Sequence, residues 1–205
     1  MNTTYHIKHY CHIKKGSITL NGTVVFENAS PEFPDFIKAG YQHFKTDYSK
    51  FFKMDNLSKL AFMAADVLLH QKNPSKKEKN IALVLSNRAS SLDTDRRYQS
   101  SIADKNNYYP SPAVFVYTLP NICIGEISIR HKLHSENSFF IFEAFNANYL
   151  SEYAESLLST KKADEVLCGW VDYDDAHYEA FLYLVSTTGE HLHNEKEITR
   201  LYLTQ

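Results

Sequence analysis

The sequence predicts an α/β fold with a mixed sheet, and three features lead to this prediction. Short apolar runs, such as residues 81–85, alternate with segments whose apolar residues recur at helical spacing, such as residues 57–68. Residues 138–158 combine both periods in one unit. Near the C-terminus, the apolar runs 163–171 and 180–185 are separated by a short acidic turn, which indicates an antiparallel hairpin.

The first part of the chain predicts a hairpin, two helices and a strand. The N-terminal segment alternates in polarity, which is typical of a strand, and Asn21-Gly22 marks a turn after it. Helical spacing predicts a helix over residues 31–44 and a clearer one over residues 57–68, whose alanines would allow close approach to a sheet. Residues 80–85 then predict a short buried strand.

Two later stretches are defined mainly by their polarity. Residues 86–109 are polar and irregular, and we expect a hydrogen-bonded loop with local pairing of aspartate and arginine. Residues 198–203 alternate and predict a final strand.

Residues 121–131 predict a helix that is apolar around nearly its whole circumference. A helix of that composition is enclosed by other parts of a protein. Glu126 and Arg130 stand one helical turn apart, and we expect them to form a buried ion pair with each other.

The unit over residues 138–158 organises the rest of the chain. Residues 139–142 are an unbroken apolar run that predicts a strand, and the helix after it has one apolar face. That face consists of Leu150, Tyr153, Ala154, Leu157 and Leu158. Residues 143–146 join strand to helix, where free backbone N–H groups favour a nucleophile in many enzymes, but this turn has no nucleophile.

Composition limits the classes of partner. With 22 Lys plus Arg against 24 Asp plus Glu, the net charge of -2 gives no reason to expect nucleic acid or an anionic membrane as a partner. We find no signal peptide and no window that approaches a membrane span, so we expect a cytoplasmic protein. The three cysteines cannot form a disulfide framework, and we expect reduced thiols.

Two local features could indicate binding sites. The N-terminal strand is rich in histidine and cysteine, but alternation places His9 and Cys11 on one face and His6 and His12 on the other, so we predict no metal site. Residues 72–79 form a basic cluster that we interpret as a solvated connector.

Six motifs follow one another along the chain: FKMDNLSKLA at 52–61, LDTD at 92–95, PSP at 110–112, YTLPN at 117–121, GEISIRH at 125–131 and ADEVL at 163–167. In this order they resemble the N-terminal half of a β-ketoacyl-acyl carrier protein synthase of the thiolase-like fold. The resemblance is strongest over residues 51–185 and predicts one synthase N-terminal-like domain over residues 1–205. It implies a thiolase-like half-fold, with a mixed, mostly parallel sheet of about five strands, helices on both faces and a C-terminal antiparallel hairpin.

In such synthases a catalytic cysteine begins the helix after the central strand, where the helix end favours thiolate. The family's spacing from Ala163-Asp164 places that position at Ala144 or Phe145, neither of which is a cysteine. The family's later histidines, or histidine and asparagine, come from a second half that we do not find in this chain. The resemblance therefore predicts no catalytic residue, and no cofactor.

The resemblance also implies a partner. In the family, the strand that matches Ser138, Phe139, Phe140, Ile141 and Phe142 lies at the sheet edge and pairs with its equivalent across a dimer. We therefore expect a homodimer, or a heterodimer with a synthase or chain-length-factor-like subunit, in fatty-acid, polyketide or aryl-polyene biosynthesis. An acyl carrier protein is a further candidate partner.

Two alternative functions remain open at this point. One is an acyltransferase or condensing enzyme of the 3-oxoacyl-carrier-protein synthase type, whose active site a partner chain completes. The other is a pocket that binds a small molecule without chemistry, which Phe145 would plug and Ala144 would leave empty.

Overall fold

The structure is a computed structural model that describes residues 3–29, 32–70, 80–106 and 108–204. The basic cluster at 72–79 lies outside the described residues, so its prediction as a connector stays a prediction.

The described residues form one eight-stranded sheet in the order β3-β2-β1-β7-β6-β4-β5, with β8 beside β1. The strands are β1 His6–Lys14, β2 Ser17–Leu20, β3 Thr23–Glu27, β4 Ile81–Asn87, β5 Asn137–Ile141, β6 Glu165–Asp174, β7 His177–Ser186 and β8 His191–Leu192. Strand β4 runs parallel to its neighbours β5 and β6, and the other pairings are antiparallel. The predicted mixed sheet and its β6–β7 hairpin are confirmed, but the sheet has more strands than the five expected.

Helices lie on both faces of the sheet, as predicted. They are α1 Phe33–His43, α2 Asn56–Leu69, α3 Leu92–Ile102, α4 Pro112–Phe115, α5 Ile122–His131, α6 Ala147–Ser159 and α7 Glu195–Leu203, with 3-10 turns at Ser49–Lys53 and Val116–Thr118. One buried cluster, on what we call the outer face, joins the sheet to α1, α2 and α5. A second cluster, on the inner face, joins it to α6 and α7.

Helix α2 is the central helix of the outer face. Its residues Ala61, Ala64 and Ala65 are fully buried, so the small side chains let the helix approach the sheet as expected. Its N-terminus is capped by Asp55, whose carboxylate accepts a hydrogen bond from the Ser58 N–H at 2.9 Å.

Two segments are helices where the sequence predicted otherwise. Residues 92–102, expected as loop, form α3, whose first turn carries Asp93 and Asp95 at the favourable end of the helix dipole. Residues 198–203, expected as a strand, belong to α7, because the Asn194 side chain accepts the Glu197 N–H at 2.9 Å and starts a helix there. A six-residue apolar pattern is too short to separate the two periods.

Glu126 and Arg130, which we expected to pair with each other, have different partners. Glu126 is buried, and its Oε1 lies 2.8 Å from Lys50 Nζ and accepts the Tyr117 hydroxyl at 3.0 Å. Arg130 Nε donates instead to Asp66 Oδ1 of α2 at 3.0 Å. One-turn spacing permits a pair within a helix, but here each residue pairs with side chains of other elements.

Among the described residues, no single helix is long and apolar enough to span a membrane. Two segments that are bent relative to each other, Pro112–Thr118 and Ile122–His131, reach that length and apolar composition only when they are counted together.

Candidate functional site

The turn between β5 and α6 contains Ala144 and Phe145, the two positions at which the resemblance implies a nucleophile. Strand β5 ends at Ile141, and α6 begins at Ala147 behind the cap residue Asn146, whose Oδ1 accepts the Tyr149 N–H at 3.0 Å. The turn therefore leads into a helix with an ordinary N-terminal cap. The chemistry of this turn depends on the side chains of residues 143–146.

The two candidate positions in this turn have different surroundings. Ala144 is exposed, whereas Phe145 is half-buried against the inner face. The Phe145 ring centroid lies 4.4 Å from that of Tyr202, 5.7 Å from Phe181 and 6.3 Å from Trp170. Phe145 is thus the residue that points into the protein, and its ring occupies a cluster of four aromatic side chains.

Three polar side chains, His12, Glu179 and Tyr202, form hydrogen bonds beside this aromatic cluster. The Tyr202 hydroxyl donates to Glu179 Oε2 at 2.7 Å, and His12 Nε2 lies 2.9 Å from Glu179 Oε1. Burial favours a higher pKa for Glu179, but the hydrogen bonds from His12 and Tyr202 outweigh it and hold the pKa below its ordinary value. An ionised Glu179 therefore anchors Tyr202, which in turn packs on Phe145.

The cysteines do not replace the absent nucleophile at this turn. Cys11, Cys123 and Cys168 are each fully buried, and burial raises the pKa of each thiol far above its ordinary value. A thiol in that state reacts poorly, because the thiolate is the nucleophilic form.

The two late histidines have different surroundings. His191 Nδ1 contacts Glu197 Oε1 at 3.0 Å. His193 is buried, and neither of its ring nitrogens has a hydrogen-bond partner among the described residues. Burial lowers its pKa to about 4, so the ring is neutral near pH 7. The described residues bring no three His, Cys, Asp or Glu side chains together in a metal-binding arrangement.

Two open grooves of the described surface are bordered by charged side chains. A groove of about 370 Å³ reaches Trp170 and Glu179 from outside, but Lys14 and Asp172 also line it. A larger groove of about 1000 Å³ lies along α6 and is bordered by Glu152, Glu155, Lys161 and Asp164, among others. Ionisable side chains border both grooves, whereas sites for apolar ligands are lined predominantly by apolar side chains.

Strand β5 lies at the open edge of the sheet and pairs only with β4 among the described strands. Phe139 packs on the outer face and Phe140 on the inner face, while Ile141 is 51% exposed. Beside it, Phe140 and Phe142 form a ring cluster with Tyr149 and Tyr153 of α6, with centroids 4.9–6.2 Å apart. The edge therefore combines free backbone groups with aromatic side chains.

Comparison with known proteins gives matches only at the level of structure. No protein-family model matches the chain, and no curated protein matches it. The ishigamide ketosynthase/chain length factor is similar, with 16% identity and a TM-score of 0.66 over 89% of this chain and 62% of that chain. A ketosynthase in complex with its chain length factor from Xenorhabdus doucetiae has 14% identity and a TM-score of 0.59, over 92% of this chain and 81% of that chain.

A third similar structure is a type II polyketide synthase acyl-carrier protein in complex with its ketosynthase bound to the hexaketide. It has 12% identity and a TM-score of 0.60, over 91% of this chain and 63% of that chain. The chain thus spans less than two thirds of the length of the first and third structures. At these identities the likeness shows the fold, which is that of β-ketoacyl synthases and chain length factors.

Proposed function

We propose that this chain is a non-catalytic, synthase-like subunit that assembles with a second chain of the same fold. The carrying observation is Phe145, whose ring fills the inner side of the turn where a synthase would hold its cysteine. The pathway would be fatty-acid, polyketide or aryl-polyene biosynthesis, and the compartment would be the cytoplasm.

Acyl transfer needs a nucleophile that can form a thioester. A phenyl ring cannot supply one, and Ala144 beside it cannot either. The three buried thiols are held in the protonated form, which removes the remaining sulfur nucleophiles. A condensing activity would therefore need a cysteine from the partner chain.

The edge strand β5 supports the assembly part of the proposal. An unpaired apolar strand edge is prone to join other chains unless a partner covers it. We propose that the partner is another copy, or a synthase or chain-length-factor-like subunit, and that an acyl carrier protein delivers acyl groups to the pair.

Acyl labelling tests the absence of catalysis. The chain, alone or with a co-expressed synthase, is incubated with acyl carrier protein that bears a radiolabelled acyl group. Covalent transfer of the label is followed on denaturing gels. We expect label on the synthase and none on this chain. A Phe145→Cys variant is the matched control for whether a thiol at this position can be reached.

Label on the wild-type chain in the presence of the synthase would contradict the proposal. That result would favour the alternative, a condensing enzyme whose active site is completed by a partner. Failure of a tagged synthase to retain this chain, together with a monomeric chain in isolation, would contradict the assembly part.

A further inference from the structure

Strands β1, β2 and β3 form a groove on the inner face of the sheet. Residues that pair across an antiparallel ladder share a face, and His12 pairs with Thr19 while Lys14 pairs with Ser17. The His12 ring packs on Phe181, which belongs to the inner-face cluster, with centroids 5.4 Å apart. The side chains of all four paired residues therefore lie on the inner face.

This opening, which we call the hairpin groove, has a volume of about 270 Å³. Sites for drug-sized ligands occupy about 300–1,000 Å³, so the hairpin groove suits a smaller molecule. Its lining combines apolar, polar and charged side chains. They include Tyr10, His12, Lys14, Lys15, Val24 and Glu27.

His12 is a buried polar side chain in this lining, and its ring is held in a fixed position. It is 4% exposed and stacks on Tyr202, with centroids 5.8 Å apart, and its Nε2 lies 2.9 Å from Glu179 Oε1. Hydrogen bonds from His12 and Tyr202 hold the pKa of Glu179 below its ordinary value, so Glu179 is ionised. An ionised carboxylate only accepts hydrogen bonds, so His12 Nε2 carries a proton.

The second ring nitrogen of His12 is then the one that a ligand can use. In the neutral ring, Nδ1 is a hydrogen-bond acceptor when Nε2 carries the proton. Among the described residues no hydrogen bond to Nδ1 is found, and Nδ1 is not one of the fully buried atoms that lack a partner. An atom that is neither bonded nor enclosed is accessible, and the opening beside His12 is the hairpin groove.

The remaining lining limits what else the ligand contains. Lys14 and Lys15 border the groove together with one acidic residue, Glu27, so the local charge favours a single negative charge over a dianion. Tyr10 and Val24 supply apolar surface between the polar groups. Residues 12 and 14 are two positions apart on β1, which separates their Cα atoms by about 6.8 Å.

From this arrangement we propose that the hairpin groove binds a small hydroxylated carboxylate. Its hydroxyl donates to His12 Nδ1, and its carboxylate lies beside Lys14 and Lys15. Its apolar body packs on Tyr10 and Val24. The site goes beyond the proposed assembly, because β1 to β3 lie at the opposite end of the sheet from β5, and it can be tested in the isolated chain.

Titration of the wild-type chain with 4-hydroxybenzoate, followed by nitrogen-15 NMR spectra, tests the site. The para-substituted ring holds a hydroxyl and a carboxylate apart, and near pH 7 the carboxyl is ionised and the phenol is not. Benzoate lacks the hydroxyl and phenol lacks the carboxylate, so they are matched probes. We expect 4-hydroxybenzoate to bind about tenfold more tightly than either, because each probe loses one polar contact.

A His12→Phe variant removes the acceptor. We expect it to bind 4-hydroxybenzoate about tenfold more weakly and to bind benzoate as the wild type does. His177→Gln is the control, since it changes an exposed histidine of the neighbouring groove of about 370 Å³, which shares Lys14 and Lys15. Its dissociation constant should equal that of the wild type.

A Val24→Trp variant keeps the test sharp when His12→Phe folds poorly. Val24 is 51% exposed, so the larger side chain leaves the core intact, but it borders the hairpin groove and would fill it. We expect this variant to unfold at the wild-type temperature and to show no saturable binding of 4-hydroxybenzoate.

Three results would overturn the inference. The first is no saturable binding of 4-hydroxybenzoate to the wild-type chain at millimolar concentration, and the second is equal affinity for the three probes. The third is binding that His177→Gln weakens but Val24→Trp does not, which would place the ligand in the neighbouring groove. The proposed assembly is measured without ligand, so these results leave it unaffected.

Discussion

At the scale of single residues, Phe145 shows how a side chain in the β5–α6 turn is used for packing. Its ring contacts aromatic residues from three other elements, Trp170 on β6, Phe181 on β7 and Tyr202 on α7. The chain thus uses the position for packing, and the packing is testable by removing the ring.

We expect Phe145→Ala to lower the free energy of unfolding by roughly 3 kcal/mol, because it removes a large ring and leaves a cavity among the other three. Chemical denaturation measures the change. Ala144→Ser is the control, and since Ala144 is exposed we expect it to change stability by less than about 0.5 kcal/mol. Equal effects at both positions would contradict the inward placement of Phe145.

His193 predicts a dependence of stability on pH. Its folded pKa of about 4 lies below the ordinary 6.5, because burial disfavours the charged ring. Glu155 Oε1 is 3.5 Å away but half exposed, so water screens its attraction. Between these two pH values the unfolded chain holds a proton that the folded chain lacks, so stability falls as pH decreases through this window.

The expected loss from this group is of order 3 kcal/mol between pH 7 and pH 4. Unfolding curves for His193→Phe should lack that part of the pH dependence. His134→Gln, which changes an exposed histidine, should keep it. A variant at 193 with an unchanged pH profile would show that His193 does not carry the effect.

At the scale of elements, Asp66 joins two helices and a loop on the outer face. It is buried in α2, accepts the Arg130 Nε of α5 at 3.0 Å and accepts the Thr46 hydroxyl at 3.1 Å. Arg130 also donates to the Asp47 carbonyl at 2.8 Å. The carboxylate therefore holds the loop and α5 against α2.

We expect Asp66→Ala to destabilise the chain by about 3 kcal/mol, because the Arg130 charge is left largely buried without its partner. Thermal or denaturant unfolding measures this. Asp164→Ala, at an exposed aspartate, should shift stability by less than about 0.5 kcal/mol. A small effect at position 66 would mean that the Asp47 carbonyl holds Arg130 sufficiently by itself.

At the scale of the whole molecule, the described sheet has two open ends, β5 and β3. They offer a matched comparison, because Ile141 on β5 and Val24 on β3 are each 51% exposed. Each edge has aromatic rings beside it, Phe140 with Tyr149 on β5 and Phe26 with Phe36 on β3. The proposed association uses the β5 edge, so it should depend on β5 and not on β3.

We expect Ile141→Lys to abolish association of the chain through the β5 edge, because the change places a charge on an apolar strand edge. The stability of the protomer should change by less than about 0.5 kcal/mol. Analytical ultracentrifugation measures the dissociation. Val24→Lys should leave association unchanged. If only Val24→Lys caused dissociation, the association would involve the β3 edge and not the β5 edge.

The sequence predicted those helices and strands whose apolar pattern lies within the element itself. The helix over 57–68, the strand over 80–85 and the hairpin near the C-terminus each have a period that stands in the residues themselves. The short α7 has no such period over enough residues to be predicted. Helix α3 could not be predicted either, because its sequence is polar and Thr94 is its one described buried residue.

The sequence alone determined that the chain is α/β, that residues 143–146 between a strand and a helix contain no cysteine, and that an apolar strand precedes them. Only the tertiary structure decided that Phe145 and not Ala144 points inward, that Glu126 and Arg130 bind separate partners, and that β5 lies at an open edge. The physical reason is range: periodicity and residue type are local, whereas a side chain's partners come from elements distant in the chain and are selected by packing.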